Sequence, residues 1–243
     1  MNTAPSRFLT ARWEHLAMLS YEIDPGVLRP FVPAGTELDD WNGQTFVSVV
    51  GFMFLDTRVL GVRFPWHSNF EEVNLRFYVR RKGSEGWRRG VVFIKELVPR
   101  FAIAWVARTY YGENYVALPM QHSMGNPDGP GPRRVSYSWW FEDRENMLEL
   151  TVAGDGQLAA AGSMEEFVTE HYWGYARRKN GATTEYRVEH PRWQVFPAEG
   201  ARLVCDVAGL YGQTFVEFMR SPVSAFLADG SQVVVHKGQV LPT

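Results

Sequence analysis

Lysine and cysteine are scarce in this chain. The one cysteine, Cys205, excludes an internal disulfide framework and any multi-cysteine metal site. It fits a reducing cytoplasm, which is the expected compartment. Of 25 basic residues only Lys82, Lys95, Lys179 and Lys237 are lysines. The rest are arginines, which neither deprotonate readily nor form Schiff bases. A surplus of one charge is missing too. The formal net charge is -2, so no basic excess exists to follow a phosphate backbone, and no nucleic-acid partner is expected. No apolar run reaches the ~20 residues of a spanning helix. The longest, residues 46–55, is interrupted by Ser48 and Gly51. Residues 1–14 lack the apolar stretch of a signal peptide, so a soluble protein without membrane contact is expected. The phosphate-loop, dinucleotide and nucleophile-elbow patterns are absent, as is the paired-histidine zinc motif. None of the 6 histidines lies in a tight metal-binding spacing with another, and no metal or cofactor is expected.

Apolar residues are plentiful, at 45%, with 14% aromatic, so a sizeable core can form. Strand patterns dominate. Residues 70–81 alternate: Glu72, Asn74, Arg76 and Tyr78 face one way, and Val73, Leu75, Phe77 and Val79 the other. Residues 83–90 read as a polar hairpin loop, and 91–98 as its return strand. Strict alternation there puts Val91, Phe93, Lys95 and Leu97 on one face, and Val92, Ile94, Glu96 and Val98 on the other. Residues 12–23 form a strand closed by Asp24-Pro25-Gly26, followed by a short helical turn over 27–32. Residues 45–55 form a strand with Gly51 at a bulge, and 114–123 one with an edge or bulge at Pro119. Residues 134–142 and 147–153 make a hairpin, and 183–190 a strand stopped by Pro191. Helices are predicted over 102–111 and over 164–178, the latter capped by Ser163 with Glu165 and Glu166 in its first turn. Residues 198–211 carry Leu203, Val207 and Leu210 at helical spacing, and 223–240 form a hairpin turning at Asp229-Gly230. Roughly ten strands with two or three helices suggest a closed or nearly closed antiparallel barrel. One domain over residues 1–243 is expected.

The row Glu72, Asn74, Arg76 is the most unusual feature. Such a row either faces solvent beside an apolar core face or lines the lumen of a barrel. In a lumen the arginine would clamp a carboxylate, and the glutamate would be its partner or an acid-base group. Glu170-His171 and Glu189-His190 are adjacent pairs that do not share a face, so neither is a metal site by itself. The segment from Tyr186 to Trp193 is nevertheless dense in groups capable of chemistry. Cys205, among apolar neighbours, reads as an inert thiol.

Several segments carry a resemblance. They are Phe31-Val32-Pro33-Ala34-Gly35-Thr36-Glu37-Leu38-Asp39, residues 70–79, Gly90-Val91-Val92-Phe93, and Ala107-Arg108 with Tyr115. Gly162-Ser163-Met164, Thr169-Glu170-His171-Tyr172 and Val188-Glu189-His190-Pro191-Arg192-Trp193 follow. In this order they resemble the YqjF-like family of uncharacterised conserved bacterial proteins, over residues 10–199. That family is similar in fold to acetoacetate decarboxylase, which implies a large, mainly β antiparallel barrel with a central cavity and peripheral helices. The decarboxylase uses a Schiff-base lysine with a second lysine beside it. By the resemblance, those positions fall on Tyr115 and Val116 here, and no lysine lies between Lys95 and Lys179. The imine mechanism is therefore disfavoured, and Lys95, beside Glu96, is expected to make a salt bridge. The resemblance implies a cavity for an anionic or keto-acid-like small molecule, with Arg12, Glu72, Asn74, Arg76, Arg108 and Tyr115 as ligand contacts. The alternatives are a lyase or hydrolase acting on a keto or enol acid through Glu, Arg and Tyr, or an interaction module with its polar strand exposed. A homodimer is compatible with exposed strand edges.

Overall fold

The structure is a computed structural model in which residues 6–63, 68–99, 114–125 and 133–242 are described. The chain opens with β1 (Arg7–Glu22), α1 (Pro25–Leu28), β2 (Glu37–Leu38), β3 (Phe46–Val59), β4 (Val62–Arg63), β5 (Phe70–Gly83) and β6 (Gly86–Val98). Then come β7 (Tyr115–Ala117), β8 (Met120–Gly125), β9 (Arg133–Phe141), β10 (Arg144–Val152), β11 (Gln157–Leu158) and α2 (Met164–Thr169). The last third holds β12 (Trp173–Arg177), β13 (Thr183–Glu189), β14 (Gln194–Val204), α3 (Val207–Tyr211), β15 (Ser224–His236) and β16 (Gln239–Val240). The expected helix over 102–111 lies outside the described residues.

Pairing runs β13-β12-β6-β5-β3-β1-β15, and β15 returns to β13 through Val188 opposite Val235 and Glu189 opposite Val234. The path therefore closes into a ring. It is not purely antiparallel, because β12 and β7 each pair parallel with β6. From β15 the sheet continues through β14, β10 and β9 to β8, and this extension covers one outer face of the ring. Gly51 marks the contact: a Cβ there would meet the Tyr137 ring at 2.6 Å. Toward β5 this glycine pairs regularly, whereas toward β1 it opposes Ala17 at the end of a register slip, so the expected bulge lies beside it, with the extra residue on β1.

Both faces of β5 are buried. Val73, Leu75, Phe77 and Val79 pack outward against Tyr137, Trp139, Leu148 and Leu150. Phe70 and Tyr78 pack inward with Phe46, Val50, Phe52, Phe167 and Trp193. Two bulges decide what else faces inward. In β1 the register slips between Glu14 and Ala17, with His15 at φ 55. Ala11 and then Leu16 and Met18 consequently join the inner cluster. In β6 the register slips at Ile94, where Leu75 opposes Lys95 but Arg76 opposes Phe93. Strict alternation fails here: Val91 and Val98 share the inner cluster, while Ile94 and Leu97 pack outward.

Three element expectations are corrected. The helix over 164–178 ends at Thr169, and residues Trp173–Arg177 are the strand β12. Pairing with β6 and β13 overrides the helix-like end charges in this Trp- and Tyr-bearing stretch. Residues 198–211 split into the end of β14 and the short α3, capped by Asp206 accepting from Gly209 N. The hairpin at Asp229-Gly230 does not form, because β15 runs straight through it along β1. Gly230, at φ 91, is there because a Cβ would lie 2.0 Å from the Trp13 carbonyl oxygen. Two boundaries also shift: β6 begins at Gly86, so the loop expected over 83–90 shrinks to Ser84-Glu85, and the strand expected over 114–123 divides at Leu118-Pro119 into β7 and β8. The β9–β10 hairpin forms as expected, with Glu142 and Asp143 of its turn both at positive φ. Ser163 caps α2 by accepting from Glu166 N at 3.2 Å. No helix among the described residues is long and apolar enough to cross a membrane.

Candidate interior binding site

The polar row of β5 points into the ring. Glu72 and Asn74 are each 2% exposed, which rules out the solvent-facing reading of this strand. Opposite them on β3 stand Phe52 and Val50, and across on β6 stands Glu96, paired with Asn74 and also buried. Tyr115 comes from β7, in register with Glu96. Both oxygens of Glu72 are held. Asn74 Nδ2 donates to Oε1 at 3.0 Å, and the Tyr115 hydroxyl donates to Oε2 at 3.2 Å. Trp13, Phe52, Phe54 and Phe70 form an edge-to-face and stacked aromatic wall. Burial in this wall pushes the Glu72 carboxyl up to about 7, against the opposing pull of Asn74, Tyr115 and the Arg76 charge. Burial also raises Tyr115 well above the usual phenol range, with Glu72 and Glu96 adding to it, so Tyr115 stays a donor.

Farther along the row, the Arg76 guanidinium donates from Nη2 to the Val168 carbonyl of α2 at 3.2 Å and lies 5.8 Å from the Tyr78 ring centre. Tyr78 ends a buried hydroxyl chain: Ser20 Oγ lies 2.7 Å from Ser48 Oγ, which lies 2.6 Å from the Tyr78 hydroxyl. Beyond Tyr78, His171 Nε2 sits 3.2 Å from Asp39 Oδ2, and Arg89 Nε donates to the same oxygen at 2.6 Å. Burial alone would raise Asp39, but the bonds from His171 and Arg89 outweigh it and hold the carboxyl below its ordinary value. His171 is pushed down to about 4, because burial outweighs the favourable Asp39. On the outside of α2, Asp39 and Phe167 also line a groove of about 330 Å³ with Trp41, Arg80, Trp87 and Arg89.

Of the residues singled out in the sequence, Glu72, Asn74 and Tyr115 come together, with Arg76 next along the same face. Arg12 does not join them. Inward-facing Ala11 leaves it on the opposite face of β1, where its Nε lies 2.8 Å from Glu14 Oε1. Arg108 lies outside the described residues. Lys95 follows the bulge to the outer face and donates to the Leu210 carbonyl rather than making the expected salt bridge. Lys82, Lys179 and Lys237 are exposed. No lysine therefore reaches the interior. Cys205 has its thiol pushed up to about 12 by burial, in keeping with an inert side chain. Sequence reasoning misses Glu96, Asp39 and His171 as site residues. The β6 bulge hides the orientation of Glu96, and Asp39 and His171 meet across 132 positions of sequence.

The fold is that of acetoacetate decarboxylase. The enzyme from Legionella pneumophila subsp. pneumophila str. Philadelphia 1 superposes with a TM-score of 0.68 at 13% identity, covering 100% of this chain and 90% of that one. The enduracididine biosynthesis enzyme MppR, complexed with pyruvate, superposes with a TM-score of 0.69 at 13% identity, over 99% and 92% of the two chains. In sequence, the uncharacterized protein YqjF of Bacillus subtilis (strain 168) is 30% identical over 213 residues, which is 84% of this chain and 82% of that protein. The profile of DUF2071, a family described as an uncharacterized conserved protein, matches residues 10–232, and the chain belongs to this family.

Proposed function

We propose that the ring interior binds a small carboxylate-bearing molecule and that Glu72 exchanges a proton with it, without an imine intermediate. The observation that carries this reading is the buried Glu72, held by Asn74 and Tyr115 on the same strand face as Arg76. A carboxyl raised to about 7 populates both protonation states near neutral pH, which suits a group that takes and returns a proton. Arg76 supplies the cation for the ligand carboxylate. Tyr115, whose hydroxyl proton goes to Glu72 Oε2, holds that carboxyl in place for the exchange. A binder needs only the arginine. The tuned glutamate is what favours an enzyme, with proton abstraction next to a carbonyl as the reaction class: the carbon-bound proton passes to the Glu72 carboxylate, and the electron pair moves onto the carbonyl oxygen. A structural neighbour that holds pyruvate makes keto acids the first probes to try.

The test is solvent deuterium incorporation into the methyl group of pyruvate and the methylene group of acetoacetate, followed by proton NMR. Wild type is expected to accelerate incorporation, Glu72→Gln to abolish it, and Arg76→Ala to weaken it through the apparent affinity. Borohydride added during turnover is expected to leave Lys95 unmodified. An adduct at Lys95, or incorporation independent of Glu72, would contradict the reading.

A further inference from the structure

The Glu72 arrangement leaves two polar atoms around Tyr78 unaccounted for. Arg76 Nε and His171 Nδ1 are both buried and have no hydrogen-bond partner among the described residues. Buried polar atoms are normally paired, so each of these two invites a partner.

Their chemistry is complementary. An ionised carboxylate only accepts hydrogen bonds, so the Asp39 contact fixes the proton of His171 on Nε2 and leaves the lone pair on Nδ1. Arg89 at 2.6 Å and Arg80 at 3.8 Å keep Asp39 ionised. The two ring nitrogens point apart, so Nδ1 is turned away from Asp39, and His171 does not line the groove that Asp39 lines. The imidazole leans on Tyr78, ring centres 4.7 Å apart, and on Phe167 at 5.1 Å. Arg76 leans on the same Tyr78 ring and is tied to Val168, three residues before His171. The charged groups acting on His171 are Asp39, Arg89 and Arg76, and under them the ring stays neutral near pH 7.

A cationic donor and a neutral acceptor thus share one aromatic support, the Tyr78 ring of the inner cluster. A plain carboxylate satisfies Arg76 and leaves His171 unpaired. A keto oxygen is itself an acceptor and gives Nδ1 nothing. An ammonium donor would sit beside the Arg76 charge. A hydroxyl or enol O–H fits. We propose that His171 is the specificity-determining acceptor of the interior site, taking a hydrogen bond from the hydroxyl or enol group of a ligand whose carboxylate sits on Arg76, so that the substrate class is a hydroxy- or enol-carboxylate. This rests on the anion-binding reading of the interior given above.

The experiment is isothermal titration of the full chain with lactate and 3-hydroxypropionate against propionate, and with 3- and 4-hydroxybutyrate against butyrate. The several hydroxyl positions remove the dependence on chain length. At least one hydroxy acid is expected to bind roughly five- to tenfold tighter than its parent, the worth of one hydrogen bond to a buried acceptor. His171→Phe is expected to erase that advantage while the parent acid still binds, and Arg76→Gln to weaken every acid. If the parent acids bind through Arg76 but no hydroxy acid gains over them, the His171 proposal is overturned and the anion reading stands. If no acid binds at all, both fall. Should His171→Phe fail to fold, nitrogen-15 imidazole spectra of wild type decide the same question. The His171 Nδ1 resonance is expected to move with a hydroxy acid and not with its parent, and an unmoved resonance overturns the proposal.

Discussion

At the scale of single residues, the proposed chemistry rests on what burial does to two titratable groups. Glu72 and His171 are both shifted mainly by desolvation, but with opposite consequences for stability. Glu72 has a folded value near 7, above its ordinary 4.5. Between those values the folded chain binds more protons than the unfolded chain, so stability falls as pH rises from about 4.5 to 7 and is flat above that. For His171 the folded value near 4 lies below the ordinary 6.5. There the unfolded chain binds more protons, so stability is lost as pH falls from about 6.5 toward 4. Glu72→Gln removes the first dependence and leaves the second. Relative to wild type, Glu72→Gln is therefore expected to gain on the order of 2 kcal/mol more at pH 8 than at pH 5. Urea unfolding at the two pH values checks this, and an identical difference at both would show that Glu72 titrates as an ordinary carboxylate.

Among the strands and helices, the determinants are close approaches as much as apolar periodicity. Gly230 and Gly174 both stand where a methyl group has no room, at 2.0 Å from its nearest neighbour in each case. The neighbours differ. Gly174 faces the Tyr186 ring, which can rotate away, whereas Gly230 faces the backbone of β1 and also has φ 91. Gly174→Ala is expected to cost about 1–3 kcal/mol as overpacking. Gly230→Ala is expected to cost more, because neither the backbone nor the positive φ can yield. Denaturant midpoints for the two variants test the ordering, and a milder Gly230→Ala would contradict it. The same contrast explains how much of the fold is legible in the sequence. The β5 alternation and the β9–β10 hairpin are local patterns, and they appear where expected. Gly230 mimics a turn residue because a close approach from β1 leaves no local signature. Residues 173–177 mimic a helix end because their strand partners, β6 and β13, are remote in sequence or visible only through tertiary pairing. Within the site, Glu72, Asn74 and Arg76 follow from the period of two, and Tyr115 from the resemblance. Glu96 and the inward face of β1 depend on bulges at Ile94 and His15, which strict alternation cannot anticipate.

Across the whole molecule, a closed ring of strands has no free edge along its circumference, and its inner face can carry polar groups that an open sheet would turn to water. This chain shares that fold with acetoacetate decarboxylase. All four of its lysines lie outside the ring interior, so the proposed function there falls to Glu72, Arg76, Tyr115 and His171. A ligand held there at ~100 times its dissociation constant raises stability by about 2.7 kcal/mol, or roughly 5–10 °C for a chain of this size. Pyruvate or lactate is expected to produce such a shift in wild type and not in Arg76→Ala. An equal shift in both proteins would move the binding site away from Arg76.

The central claim is that a buried, tuned Glu72 shares its enclosure with a ligand anion. Carbon-13 NMR titration of the Glu72 carboxyl, assigned with Glu72→Gln, tests it most directly. In the free protein the midpoint is predicted near 7. With lactate or pyruvate bound it is predicted to rise, since the ligand carboxylate adds a like charge and neutralises Arg76. A midpoint in the ordinary carboxylate range, unmoved by either acid, would contradict the account.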